Sequence, residues 1–180
     1  MTGSRRLSQR ISEGDGISII VCVDDAGAAR DAEEQGAEAI AIASAIDGIR
    51  DATSLPVLWL GGGAPGDADA VCMRPDDETA AHPHLEAVVD VRDEEELERA
   101  LETIDPEVFL LNVSGADEDV DPLDAVLELL PDVPAGKLAI ARVDVTTRDE
   151  VLALERAGVD AVLVPAGHVG NLVGDQPLQV

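Results

Sequence analysis

Asp90 with Arg92, and Asn112 with Ser114, form two D-x-R and N-x-S pairs, each following an apolar run. Residues two apart on a strand share a face, so each pair presents its side chains together. A carboxylate beside a carboxamide can accept and steer a proton, and arginine with a hydroxyl can hold an oxyanion. Arg142 and Asp144 repeat the spacing after a later run, and Asp24 and Arg74 close two others. Arg74, Arg92 and Arg142 therefore define a candidate anion site. The alternative is that they pair with Asp24, Asp90 and Asp144 as a salt-bridge lining.

The stretch from Leu85 to Asn112 shows what must position these groups. Ala87–Val91 is apolar and β-branched, Asp93 follows as a helix N-cap with Glu96 at the capping-box spacing, and Leu97, Leu101 and Ile104 form a helical stripe. Pro106 stops the helix, and Val108–Leu111 is a second apolar run. This is a βαβ unit with parallel strands and a right-handed crossover, and its polar residues fall at the carboxyl ends of the strands.

The same pattern runs along the chain. Strands are expected at Ile17–Val23, Ala39–Ala43, Pro56–Leu60, Ala68–Met73, Leu138–Val143 and Ala161–Val164, besides the two above. Helices are expected at Ala28–Gln35, Pro122–Leu130 and Arg148–Ala157, with a short helical link at Ala45–Ala52 and a weak last helix or tail. The GGGAPGD after the third strand cannot make a helix of normal length, and Asp76–Ala81 allows one or two turns before His82-Pro83-His84. Eight strands alternating with helices predict a compact (β/α)8 TIM barrel with shortened or missing helices after strands 3 and 4. Such barrels typically take about 250 residues, so a chain of 180 has to save length there. An open doubly wound sheet is the structural alternative. The polar first 16 residues are expected to be a flexible segment, with residues 17–180 as a single domain.

A formal net charge of −26, from 38 acids against 12 bases, opposes nucleic acid and anionic membrane surfaces. Lys137 is the sole lysine and aromatic residues are nearly absent. This composition suggests a halophilic protein of a salty cytoplasm, where screening relieves self-repulsion; an ordinary acidic protein is the alternative. Cys22 and Cys72 lie in apolar runs and read as buried thiols in a reducing compartment rather than as a disulfide. With no secretory segment and no apolar run of membrane-spanning length, a cytoplasmic location is expected.

A resemblance rests on these residues. VVDVRDEEELERAL followed by FLLN, and then ARVDVTTRDEVLALERAGVDAVLV, is similar to the second half of indole-3-glycerol phosphate synthase, a ribulose-phosphate-binding barrel of tryptophan biosynthesis. ARDAEEQGAEAIAIAS and SLPVL resemble that family's first helix, second strand and third strand. The resemblance implies that the strand-five catalytic glutamate falls on Asp90 and the strand-six asparagine on Asn112. It also marks departures. The family's strand-one glutamate and lysine are met by Cys22 and Asp24, and its strand-three K-D-F lysine motif by Trp59-Leu60-Gly61-Gly62. E-S-G after strand seven becomes Arg142-Val143-Asp144, and the phosphate turn after strand eight becomes Pro165-Ala166-Gly167, where proline lacks an N–H donor. Lys137, before strand seven, stands at the opposite end of the barrel and replaces neither lysine.

The resemblance and its departures imply a divergent barrel that binds a small anionic, phosphorylated metabolite or partners an enzyme, without the family's lysine chemistry. Asp90 and Asn112 are the candidate catalytic groups, and Asp24, Arg74, Arg92, Ser114, Arg142, Asp144 and His168 the candidate ligand-binding ones. The competing reading is an active synthase, a carbon–carbon lyase with a rebuilt acid and base set. No cofactor is expected. A protein partner or homo-oligomer is compatible with either reading. Gly61-Gly62-Gly63 lacks the G-K-[ST] of a P-loop and reads as a shortened connection. His82 and His84 lack a third ligand at a zinc-like spacing, and the acids of 117–121 read as solvated surface. Trp59, at the end of strand three, is expected to report on the mouth.

Overall fold

The computed structural model describes residues 5–77, 82–113, 119–167 and 169–173. Eight short apolar runs form parallel strands: β1 (Ser18–Cys22), β2 (Ala39–Ile42), β3 (Val57–Trp59), β4 (Ala70–Met73), β5 (Glu86–Val91), β6 (Val108–Leu111), β7 (Leu138–Arg142) and β8 (Ala161–Pro165). They close in sequence order, with β1 joined to β8 from Ser18↔Ala161 to Cys22↔Pro165. The fold is a (β/α)8 TIM barrel, and the open sheet is excluded by that last pairing.

Between their ends the strands are largely apolar because both of their faces are buried. Ile20, Ala39, Ala41, Leu58, Ala70, Val88, Val108, Leu110, Ile140, Ala161 and Leu163 fill the barrel. Their alternates, such as Ile40, Val57, Val89, Phe109, Leu111 and Val162, face the helical layer. Alanines on β2, β4 and β8 leave room for the branched residues of other strands, as a close-packed interior requires.

Among the described residues the helices are α1 (Arg6–Glu13), α2 (Ala26–Glu34), α3 (Ile49–Ala52), α4 (Glu94–Thr103), α5 (Pro122–Leu129), α6 (Arg148–Ala157) and α7 (Val169–Val173), with a 3-10 turn at Leu130–Asp132. Four start with a side-chain cap: Asp25 for α2, Asp93 for α4, Asp121 for α5 and Thr147 for α6. Each cap satisfies an N–H that the first turn would leave bare.

The polar N-terminal segment departs from the expected loose chain. Arg6–Glu13 is helical, and Leu7 and Ile11 are buried in the base of the barrel against its interior residues. Arg5 and Arg6 disguise an i, i+4 apolar pair whose burial contributes about 2 kcal/mol per side chain. Ser8 N–H donates to Glu86 Oε2 at 3.1 Å, and Arg6 Nη1 donates to Asp69 Oδ1 at 3.0 Å. Asp69 is buried and also accepts from Arg50 Nη2 at 2.7 Å and from Val57 N–H at 2.9 Å. One carboxylate thus ties α1, the segment around α3, and β3 to the start of β4.

No helix lies between β3 and β4, and the described residues between β4 and β5 include none. The first link is held instead by Arg50, whose Nε donates to the Asp67 carbonyl at 2.9 Å. Gly61 is required at its entrance: a Cβ there would stand 2.1 Å from the Ala43 carbonyl oxygen.

Two stability predictions follow from these contacts. Asp69→Ala should lower the unfolding free energy by about 3 kcal/mol, because it strands two guanidiniums and a buried N–H; chemical denaturation in molar KCl measures it. Gly61→Ala should destabilise the fold while Gly62→Ala, whose Cβ meets nothing within 4 Å, leaves the denaturation midpoint nearly unchanged. Equal midpoints for the two glycine variants would contradict the close approach at Ala43.

Candidate functional site

The carboxyl ends of the strands gather most of the polar residues singled out in the sequence. Asp90 on β5 and Asn112 just beyond β6 are both buried, and Asn112 Nδ2 donates to Asp90 Oδ2 at 3.1 Å. The other carboxylate oxygen, Oδ1, is buried with no hydrogen-bond partner among the described residues. An unpaired buried acceptor costs about 1–3 kcal/mol, so this oxygen is open to any group that can donate to it.

Arg74 follows β4. Its Nη2 makes a short ion pair with Glu96 Oε1, while Nη1 is buried and without a partner among the described residues. Glu96 is the third residue of α4, where its own N–H donates to the Asp93 cap, and its Oε2 accepts from Arg92 N–H at 2.9 Å. A residue read from sequence as a helix-capping acid therefore also holds an arginine on the neighbouring strand. Period-two spacing could not disclose this, since the contact crosses 22 residues.

Arg142 ends β7 and is exposed, and neither it nor Arg92 has an ion pair among the described residues. The expected lining of Arg74, Arg92 and Arg142 on Asp24, Asp90 and Asp144 does not form there. Arg74 instead chooses Glu96, because α4 presents that carboxylate on a rigid first turn. Asp24 and Asp144 lie exposed at the rim. Ser114 and His168, both expected at the site, lie outside the described residues, as do Asp117 and Glu118 of the acidic loop; Asp121 of that loop caps α5.

Cys22 and Cys72 pack against the barrel interior beneath this ring. Burial first, and the Asp90 carboxylate second, push the Cys72 thiol up to about 12, with Arg142 and Arg74 opposing the rise. Burial likewise raises Cys22, again opposed by Arg142. The Arg142 guanidinium thus acts on β1 and on β4 at once, and one thiol senses Arg74, Asp90 and Arg142 together. These charges share a single mouth.

A cleft of about 680 Å³ opens on the β7–β8 side of that mouth, lined by Cys22, Asp121, Arg142, Asp144, Glu150 and Pro165 among others. Its wall reaches Val113, the residue after Asn112. A larger cavity, about 900 Å³, lies at the opposite end between α1 and the starts of the strands. Its charges are partly spent on structure, with Arg6 on Asp69 and Arg10 facing Glu38 at 3.9 Å. Chemistry in barrels of this kind sits at the carboxyl ends, which favours the smaller cleft. Among the described residues no three His, Cys, Asp or Glu side chains converge as a metal site would require.

Trp59 does not report on the mouth. Leu58 points into the barrel, so the pleat turns Trp59 outward into the helical layer, where it is buried. Leu60 faces inward instead, packed against the interior residues. Strand alternation from Pro56 carries this information.

The fold and site define a barrel with an acid–amide pair and arginines at its carboxyl-end mouth. No protein-family model matches the chain. An 80-residue segment is 38% identical to indole-3-glycerol phosphate synthase of Variovorax paradoxus, covering 44% of this chain and 30% of that protein. An 88-residue segment is 34% identical to the synthase of Acidithiobacillus ferrooxidans, covering 48% of this chain and 32% of that protein. The matched segments thus span about a third of the length of these relatives. Among solved structures, thiamine phosphate pyrophosphorylase from Pyrococcus furiosus superposes with a TM-score of 0.65 at 20% identity over 87% of this chain and 90% of that one. N-acetylmannosamine-6-phosphate 2-epimerase from Clostridium perfringens gives 0.67 at 17% identity over 86% and 88%. The structural likeness establishes the fold, and the sequence likeness is a partial one to indole-3-glycerol phosphate synthase.

The thiols supply a direct check on the mouth. At pH 8 both should be protonated and alkylate slowly with iodoacetamide, Cys72 more slowly than Cys22, and both should react fast once unfolded. A rapidly labelled Cys72 in the native protein would mean that the interior beneath Asp90 is open to solvent.

Proposed function

We propose that this chain is an indole-3-glycerol phosphate synthase-like barrel that binds a small anionic metabolite at its mouth and does not carry out the lysine-dependent ring closure of that family. The observation that carries the reading is Arg142: an exposed guanidinium with no ion pair among the described residues, overhanging a cleft in a protein of net charge −26. Acids outnumber bases by 38 to 12, yet Arg142 lines this cleft without being drawn into an ion pair among the described residues, which leaves its guanidinium available to an anion. The position that would hold the strand-three lysine is Leu60, and Lys137 sits beyond the base of β7, donating to Asp105 Oδ1 at 2.7 Å. A general acid contributes about 10²–10⁴ in rate, which is the loss this reading assigns to the missing lysine. Service as the partner of an enzyme is compatible with the same mouth.

A second reading, an active synthase with a rebuilt acid and base set, is favoured by one observation. Asp90 and Asn112, which the resemblance matches to the family's glutamate and asparagine, are hydrogen-bonded to each other. Asp90 Oδ1 has no hydrogen-bond partner among the described residues and can accept a proton.

The test is indole-3-glycerol phosphate formation from the carboxyphenylamino-deoxyribulose phosphate substrate, run in molar KCl so that the acidic surface is screened. No turnover is expected from folded protein. Turnover that disappears in Asp90→Asn would establish the rebuilt synthase instead. In parallel, calorimetric binding of small anions should weaken at least about tenfold in Arg142→Gln. Unchanged binding would remove Arg142 from the site.

A further inference from the structure

The mouth holds one buried donor and one buried acceptor without partners among the described residues, Arg74 Nη1 and Asp90 Oδ1. They stand on adjacent strands. β4 pairs with β5 through Cys72↔Val88 and Met73↔Val89, so the next rung sets Arg74 beside Asp90, and alternation turns both toward the barrel axis. Neighbouring strands lie about 4.8 Å apart. Each group is oriented by its occupied half: Arg74 by Glu96 and Asp90 by Asn112. Glu96 holds the guanidinium away from the carboxylate, and no direct ion pair forms between them.

A group that satisfies both atoms must accept from Arg74 and donate to Asp90. A hydroxyl does both. An ammonium offers no acceptor and is repelled by the guanidinium, and a second carboxylate offers no donor and is repelled by Asp90.

The oxyanion bound at Arg142 can be narrowed further. A phosphate site on a barrel draws on helix N-terminal N–H groups, and here several of those are already taken. Leu123 N–H donates to Asp121 Oδ1 at 2.8 Å, and Thr146 and Thr147 N–H donate to Glu150 Oε2 at 2.8 and 3.0 Å. Pro165 has no N–H to give. Asp121, Asp144 and Glu150 line the cleft with Arg142, so a dianion would meet three carboxylates and one guanidinium. A monoanion is repelled about half as strongly.

Building on the anion-binding reading above, we infer that the mouth selects a small hydroxylated monocarboxylate over a phosphate ester. The carboxylate lies on Arg142, and the hydroxyl bridges Arg74 Nη1 and Asp90 Oδ1. Arg74 is thereby a specificity residue for the hydroxyl, and Glu96 is its positioning residue.

The experiment titrates the full chain in molar KCl with glycerate, propionate and glycerol 3-phosphate. Chloride competes with glycerate and propionate alike, so the ratio of their affinities is retained; the glycerol 3-phosphate arm is repeated at lower salt, where charge repulsion is less screened. Glycerate should bind about tenfold tighter than either of the others. In Arg74→Leu its advantage over propionate should vanish while propionate stays within about twofold, a result that also certifies the variant's fold. Equal binding of glycerate and propionate by the unmodified protein would mean that the paired atoms hold water alone, and would overturn the hydroxyl subsite. Tighter binding of glycerol 3-phosphate would overturn the choice of carboxylate while leaving an anion site in place. Failure of all three probes to bind would take down the anion reading itself.

Discussion

Closure of β1 onto β8 is the constraint on which the rest of this molecule depends. In an open sheet, strands of three to six residues would leave two edges unpaired; closed, every strand is paired on both sides. Closure also removes freedom of register, because a slip of one residue would turn an entire inward row outward. Asp90, Asn112, Arg74 and Arg142 reach one mouth as a consequence of that register. They are the continuation of rows whose lower members, such as Val88, Leu110, Cys72 and Ile140, fill the barrel.

The chain achieves closure with little material, and ion pairs take over work that helices do elsewhere. Where β3 passes to β4 without a helix, Arg50 reaches the Asp67 carbonyl and Asp69. At the base, α1 plugs the barrel with Leu7 and Ile11 and is latched to the same carboxylate through Arg6. Burying Asp69 is costly by itself, and it is tolerated because two guanidiniums and a backbone N–H share the charge. The N-terminal end is therefore an electrostatically closed structure.

The carboxyl end is built on the opposite principle. Its helix caps are consumed internally by Asp93, Asp121 and Thr147, so the N-termini of α4, α5 and α6 are quiet. What stays open is side-chain chemistry: one oxygen of Asp90, one nitrogen of Arg74, and the guanidinium of Arg142. In barrels of this fold chemistry sits at the carboxyl ends of the strands, the end at which these groups stand. These three groups stand together at the carboxyl-end mouth of the barrel.

Much of the architecture was legible in the sequence because it is written in local patterns. Apolar runs, N-cap residues and a helix-closing Gly158 determine eight strands and most helices, and period-two spacing pairs Asp90 with Arg92 and Arg142 with Asp144 before any contact is known. The barrel itself follows from the count and order of those elements. Three features belong to tertiary structure alone. Two arginines hid the apolar pair Leu7 and Ile11, which acquires meaning only when the barrel base is there to receive it. Trp59 points away from the mouth because the pleat, once in register with Leu58, leaves it no other face. Glu96 and Arg74 meet although neither sequence neighbourhood refers to the other. Local patterns encode what each residue's own backbone will do, whereas a pairing across 22 residues depends on how far closure brings two strand ends together, which no short stretch of chain contains.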